Sequence, residues 1–205
     1  MGTTLPEYAS RGLDTLAVPA NDGNPAWADG AVSVLLEGTE AEVYRSLPDD
    51  GSRREWVARF WRLFDLPGGP SGEFQAEFYR RAQYCEASFS TEQTRGTRSD
   101  RGRVFLVLGP PTFASRSLVR KSQDPMDIIR SSNNMAVTPG EQNGEAVNWT
   151  YRKDRIPKGI PYAELKFMFV TRTGYGTGVL QKDAREMNAL QRATRLLRRQ
   201  APEGR

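Results

Sequence analysis

The sequence predicts an α+β fold in which N-terminal helices pack on a small, mainly antiparallel sheet of about four strands, closed by a C-terminal helix. Three observations predict it. Apolar residues recur at spacings of three and four between residues 39 and 89. Beyond residue 102 the apolar runs become short, aromatic and β-branched, and are bounded by turn residues. After Asp183 the helical spacing returns. A chain of 205 residues is long enough for one core and short for two.

Residues 1–30, including "LAVPANDGNPAWADG", show neither helical nor strand periodicity and read as an irregular arm. Thr39-x-x-Glu42 and Ser52-x-x-Glu55 have the spacing of capping boxes, so a helix is expected after each. In the second, Trp56, Val57, Phe60, Trp61 and Phe64 form one stripe, while Arg54, Arg59 and Arg62 lie elsewhere on the cylinder. "DLPGGPSG" interrupts the pattern, and Phe74, Phe78, Ala82, Cys85 and Phe89 predict a third helix. Glu77 and Arg81 form an i,i+4 pair on it in the favourable order.

"RVFLVLG", residues 103–109, sits between a polar segment and Pro110-Pro111 and, being short and β-branched, reads as the first strand, which the prolines end because proline cannot donate to a ladder. "AVNWTY" and "AELKFMFVTR" read as strands too, and "GYGTG" at 174–178 as a hairpin turn into a fourth, "VLQK". Residues 116–146 form a long polar connection of the kind that is functional or disordered. Asp183-x-x-Glu186 starts a helix running to about Arg199, with Met187, Leu190, Thr194 and Leu197 on one side. The organisation is an arm (1–30), an α+β domain (31–182), and a basic amphipathic helix with its tail (183–205).

Composition narrows the function classes. Hydrophobic residues at 38% and charged residues at 26% lie outside the regime in which chains stay disordered. The single cysteine excludes an intramolecular disulfide. The absence of histidine excludes Ser-His and Cys-His hydrolases and a His-based zinc site. No carboxylate pair or acidic loop has the spacing of an acid/base couple or a metal loop, so no catalytic, cofactor-binding or metal site is assigned and no cofactor is expected. "GYGTG" lacks the helix and the Lys-Ser/Thr ending of a phosphate loop. No run approaches the roughly 20 apolar residues that span a bilayer, and the first residues predict no export signal. Residues 1–50 hold 2 of the 29 basic and 9 of the 25 acidic side chains, a net of −7 against +11 for the remainder. Two faces of opposite sign suit two partners or each other.

Several motifs recur in one order. Phe60-Trp61 ends a helix and is followed by Phe64-Asp65-Leu66-Pro67. A second helix carries Glu73, Phe74, Tyr79, Arg81, Tyr84 and Phe89. Then come Gly96-Thr97-Arg98-Ser99-Asp100, Asp100-Arg101-Gly102-Arg103 and Gly109-Pro110-Pro111. Over roughly residues 32–182 this resembles the GWxTD domain, a bacterial family named for its central motif. The motif's Trp is Thr97 here and its Thr is Ser99; Gly72 and Phe64 replace a further Asn and Arg. The resemblance implies a protein of the cell envelope with no established activity, while the lack of a visible leader favours a cytoplasmic alternative.

Two sets of side chains are candidates for interaction. Asp100, Arg101 and Arg103 surround Gly102 and have the composition of an anion site; in a strand, Asp100 would cap the turn and Arg101 and Arg103 would share one face. Arg185, Arg192, Arg195 and Arg199 form a stripe on the last helix, opposite Met187, Leu190 and Leu197, suited to an acidic protein face or an anionic lipid surface. Nucleic acid is disfavoured, because the aromatics fall at core spacings. The expectation is a non-enzymatic accessory subunit that binds other proteins, peripheral to a membrane protein complex. The alternatives are a small-ligand or enzymatic site between Asp100–Arg103 and the 116–146 loop, and nucleic-acid binding through the basic body.

Overall fold

The computed structural model describes residues 18–65, 69–120, 142–171, 178–181 and 183–198. Among them are five α-helices and a four-stranded sheet: α1 (Glu40–Ser46), α2 (Asp50–Arg62), α3 (Glu73–Phe89), α4 (Asp100–Leu108), β1 (Phe113–Arg120), β2 (Gln142–Arg152), β3 (Glu164–Thr171), β4 (Val179–Leu180) and α5 (Ala184–Leu197). The strands are antiparallel in the order β1-β2-β3-β4. The α+β class and the order of its parts are those the sequence predicts.

The helices start at caps that differ in detail from the expected boxes. Thr39 precedes α1 without a side-chain cap bond. At α2 the cap is Asp49, whose carboxylate accepts from the Ser52 amide at 2.8 Å, so the helix begins before Ser52. Short acceptors such as Asp and Ser compete for the same orphan amides, and the upstream Asp49 holds the better position here. Residues Pro25–Asp29 and Ala31–Val34 form 3-10 turns laid against these helices.

One hydrophobic core cluster, rich in aromatic rings, joins these parts. Trp27 packs edge-on to Phe60 with centroids 5.3 Å apart, and its indole N–H donates to the Tyr79 hydroxyl. Trp61 meets Phe78, Tyr84 stacks on Phe105, and Phe105 contacts Trp149 of the sheet. The stripe predicted for α2 lies in this core, with Val57, Phe60, Trp61 and Phe64 buried and Trp56 packed on it in part. Fully burying such a side chain contributes about 2 kcal/mol, so the cluster fastens the N-terminal turns to the helices and the helices to the sheet.

The principal correction concerns residues 100–108. "RVFLVL" is helical, and β1 begins only at Phe113. The physical reason is burial: Gly102 and Val104 through Leu108 are all buried, so no polar alternation or helical stripe remains to distinguish helix from strand. The helix is framed by Ser99 at its start and by Gly109 at its end, where φ is +74°. The 116–146 connection is likewise shortened, because β1 and β2 extend into it; residues 121–141 lie outside the described residues. The "GYGTG" turn also lies outside them except for Gly178, and β3 does return antiparallel into β4.

Leu165, Phe167 and Phe169 of β3 are buried toward the helices, while Lys166 and Met168 face outward. No helix among the described residues is long and apolar enough to cross a membrane.

Candidate functional site

The Gly96–Arg98 turn lies against α3, and α4 lies against that turn, at a close range that glycine makes possible. A Cβ on Gly96 would sit 1.8 Å from the Cys85 carbonyl oxygen, and one on Gly102 would sit 1.9 Å from the Gly96 carbonyl oxygen. Ser99 joins the two turns: its hydroxyl donates to the Gly96 carbonyl at 2.7 Å and accepts from the Gly102 amide at 3.0 Å. Glu86 fixes the other side, accepting from the Thr97 hydroxyl at 2.5 Å, the Ser90 hydroxyl at 2.8 Å and the Gly96 amide at 3.0 Å. Burial works against the Glu86 charge, but these hydrogen bonds outweigh it and hold the carboxyl below its ordinary value. Thr97 and Ser99, which stand where the motif has Trp and Thr, are therefore buried parts of a corner.

The candidates of the first set part company at this corner. The Asp100 carboxylate accepts from the Leu180 amide at 2.8 Å and so pins β4 to α4. Arg101 and Arg103 do not share a face, since two residues on a helix are separated by about 200°. Arg101 lies over the Phe89 ring, 5.4 Å from its centroid. Arg103 points the other way, into an open groove between α4, α5 and the Ala31–Val34 turn.

That groove has a volume of about 410 Å³. Val34, Val107, Met187 and Leu190 supply its apolar lining, with Arg103 and Arg195 as its two cations and Glu37 as its acid. Among the described residues neither Arg103 nor Arg195 has an ion-pair or hydrogen-bond partner for its guanidinium. Glu37, by contrast, approaches Arg198 at 4.0 Å. The groove thus presents apolar area with an excess of positive charge.

The second set divides as well. Arg185 is occupied: its guanidinium donates to the Glu164 carbonyl at 2.7 Å and lies 4.5 Å from the Tyr162 ring centroid. Arg192 is exposed, and Arg199 lies outside the described residues. Arg195 lines the groove together with Met187 and Leu190, so the stripe does not stand wholly opposite the apolar side. Helix α5 ends at Leu197, two residues before the expected end.

Sequence reasoning missed Arg198. Its side chain is 8% exposed, donates to both Glu40 carboxylate oxygens at 2.8 and 2.5 Å and to the Leu35 carbonyl at 2.6 Å, and lies over Phe60 and Phe64. It clamps α5 to the N-terminal turns that form one wall of the groove. In sequence it is one of four arginines in eight residues, and nothing local separates it from its neighbours.

Nucleophile chemistry is not supported at Cys85: it is buried, and burial followed by the nearby Glu86 charge pushes the thiol far above its ordinary value. Among the described residues no group of three or more His, Cys, Asp or Glu is placed to hold a metal ion. Comparison with protein-family models, with curated proteins and with solved structures found no match to this chain. The resemblance to the GWxTD domain therefore rests on the motifs quoted above.

Proposed function

We propose that this protein is a non-enzymatic accessory subunit, peripheral to a membrane protein complex, and that the α4–α5 groove docks an acidic, apolar segment of a partner protein. The observation that carries this reading is the pairing of an apolar lining with two arginines that have no partner among the described residues. A partner carboxylate would meet a guanidinium fork there while its apolar neighbours cover Val34, Val107, Met187 and Leu190. Removing one side of a buried Arg–carboxylate contact costs about 2–5 kcal/mol of binding, so two such contacts suffice to decide between partners. The resemblance to an envelope family supports the membrane-complex setting.

The test is purification of the native protein from gently solubilised membranes of its source, beside an Arg103→Glu/Arg195→Glu variant. The expected result is stoichiometric recovery of a partner with the wild type and its loss with the variant. Recovery of wild type alone in the soluble fraction, or a partner retained equally by both proteins, overturns the reading.

A further inference from the structure

The inward face of the sheet is apolar along most of its length and changes character at one end. Cross-strand register places Trp149 beside Phe167, and Val147 beside Arg116 and Phe169, on the face toward the helices. One step further along the same face, Glu145 pairs with Thr171. Arg101 arrives from α4 above this end: a Cβ built on Gly178 would lie 3.2 Å from the Thr171 hydroxyl, 3.3 Å from Phe169 and 3.5 Å from the Arg101 Nε. Arg101, Arg116, Glu145 and Thr171 therefore collect where the apolar core ends.

Among the described residues, charge in this cluster does not balance. Arg116 reaches Glu145 at 3.5 Å, which accounts for the one described carboxylate that acts on Arg101. Arg101 is left with the Phe89 ring beneath it and, among the described residues, no carboxylate or carbonyl that accepts from its guanidinium. Its surroundings are adverse for a cation in three respects. It is half-buried. It has a second arginine in electrostatic reach, and it is the second residue of a helix, where the backbone dipole opposes positive charge. Burial and the Arg116 charge accordingly press its guanidinium below the ordinary arginine range, with Glu145 alone acting the other way. A bound anion would relieve all three conditions at once, and a guanidinium fork beside a hydroxyl suits two oxygens on one atom.

We infer that Arg101, with Arg116 and the Thr171 hydroxyl, forms a binding site for a single oxyanion, a carboxylate or phosphate group, at the polar end of the inner sheet face. Arg116 is 78% exposed at its side chain, so it is able to turn from Glu145 toward the ligand. The site faces away from the groove, because Arg101 and Arg103 lie on opposite sides of α4, and it stands independently of the docking reading.

The experiment is a titration of the full chain with inorganic phosphate, and separately with acetate, at constant ionic strength. The readout is the arginine Nε–H signals by NMR, with sodium chloride as the control. Saturable movement of the Arg101 signal at millimolar phosphate or acetate is expected. It should be abolished by Arg101→Gln, weakened several-fold by Arg116→Gln and left unchanged by Arg103→Gln. Phosphate as the tighter ligand would identify a phosphoryl source and acetate a carboxylate source. Should Arg101→Gln fail to fold, Arg101→Lys keeps the charge without the fork and is expected to bind at least tenfold more weakly. Movement that tracks ionic strength alone, saturation by neither anion, or binding unaffected by the Arg101 variants overturns the site.

Discussion

At the corner where α4 begins, Ser99 both donates and accepts, Asp100 holds the Leu180 amide, and the Glu86 carboxylate gathers two hydroxyls and an amide. Along the groove on the far side of the same helix, Arg103 and Arg195 flank apolar area with no described partner. The two regions are both rich in polar side chains, and the first has the more conspicuous sequence. The difference teaches that the hydroxyls and carboxylates of a dense polar motif can be engaged in holding its corner, whereas arginines with no partner among the described residues are the ones available to another molecule.

The sharpest way to break this comparison is Gly102→Ala. The added Cβ would lie 1.9 Å from one backbone atom, the Gly96 oxygen, and 2.9 Å from another, the Gly96 carbonyl carbon, so α4 and the preceding turn must separate. Denaturant unfolding should show a loss above about 4 kcal/mol, or no folded protein. A loss near the about 1 kcal/mol typical of point substitutions would mean that the contact yields easily and the corner is not the rigid part of the fold.

Arg198→Met comes next. It leaves Glu40 without its bidentate partner and the Leu35 carbonyl without its donor, at a cost of about 3 kcal/mol. Burial opposes the Glu40 charge, but the Arg198 and Glu37 contacts prevail and hold its carboxyl below the ordinary value. A depressed folded-state value means that the contribution is complete above the unfolded-state pKa, about 4.3, and is lost as pH falls through the folded-state value. Stability measured from pH 7 downward should therefore show a shallower acid limb in the variant than in the wild type. An unchanged limb would remove Glu40 from the acid transition and leave Glu86 and Asp49, the other described carboxyls held below their ordinary values, as its sources.

Ser99→Ala tests the corner more gently. It deletes the acceptor for the Gly102 amide and the donor to Gly96 while leaving the glycine contact in place. An N-cap loss of about 1–2 kcal/mol is expected in thermal unfolding. A change within about 0.3 kcal/mol would show that the glycine contact alone keeps the two turns together.

How far the sequence could be read follows from where its signals are local. The α2 and α3 stripes were legible, because helices with one wet face show their period in residues such as Val57, Phe60, Phe78 and Cys85. Helix α4 was not, because burial on all sides removes the period; only Ser99-Asp100 at its start and Gly109-Pro110 at its end carried the signal. That one error also put Arg101 and Arg103 on the same face and hid the division between two sites. Arg103 and Arg195 were legible as candidates, yet their meeting depends on how α4 and α5 pack. Arg198 was illegible for the same reason, since its partner Glu40 lies 158 residues away.

The mildest substitution sharpens the comparison most. Arg103→Gln with Arg195→Gln removes two charges that hold nothing among the described residues, so folding stability should change by no more than about 0.5 kcal/mol. If the double variant melts with the wild type while partner recovery falls, the groove and the corner are separated by experiment into a surface for others and a joint for the chain itself. If it loses stability on the scale of Ser99→Ala, then Arg103 and Arg195 support α5 against α4, and the groove belongs with the corner as a structural feature.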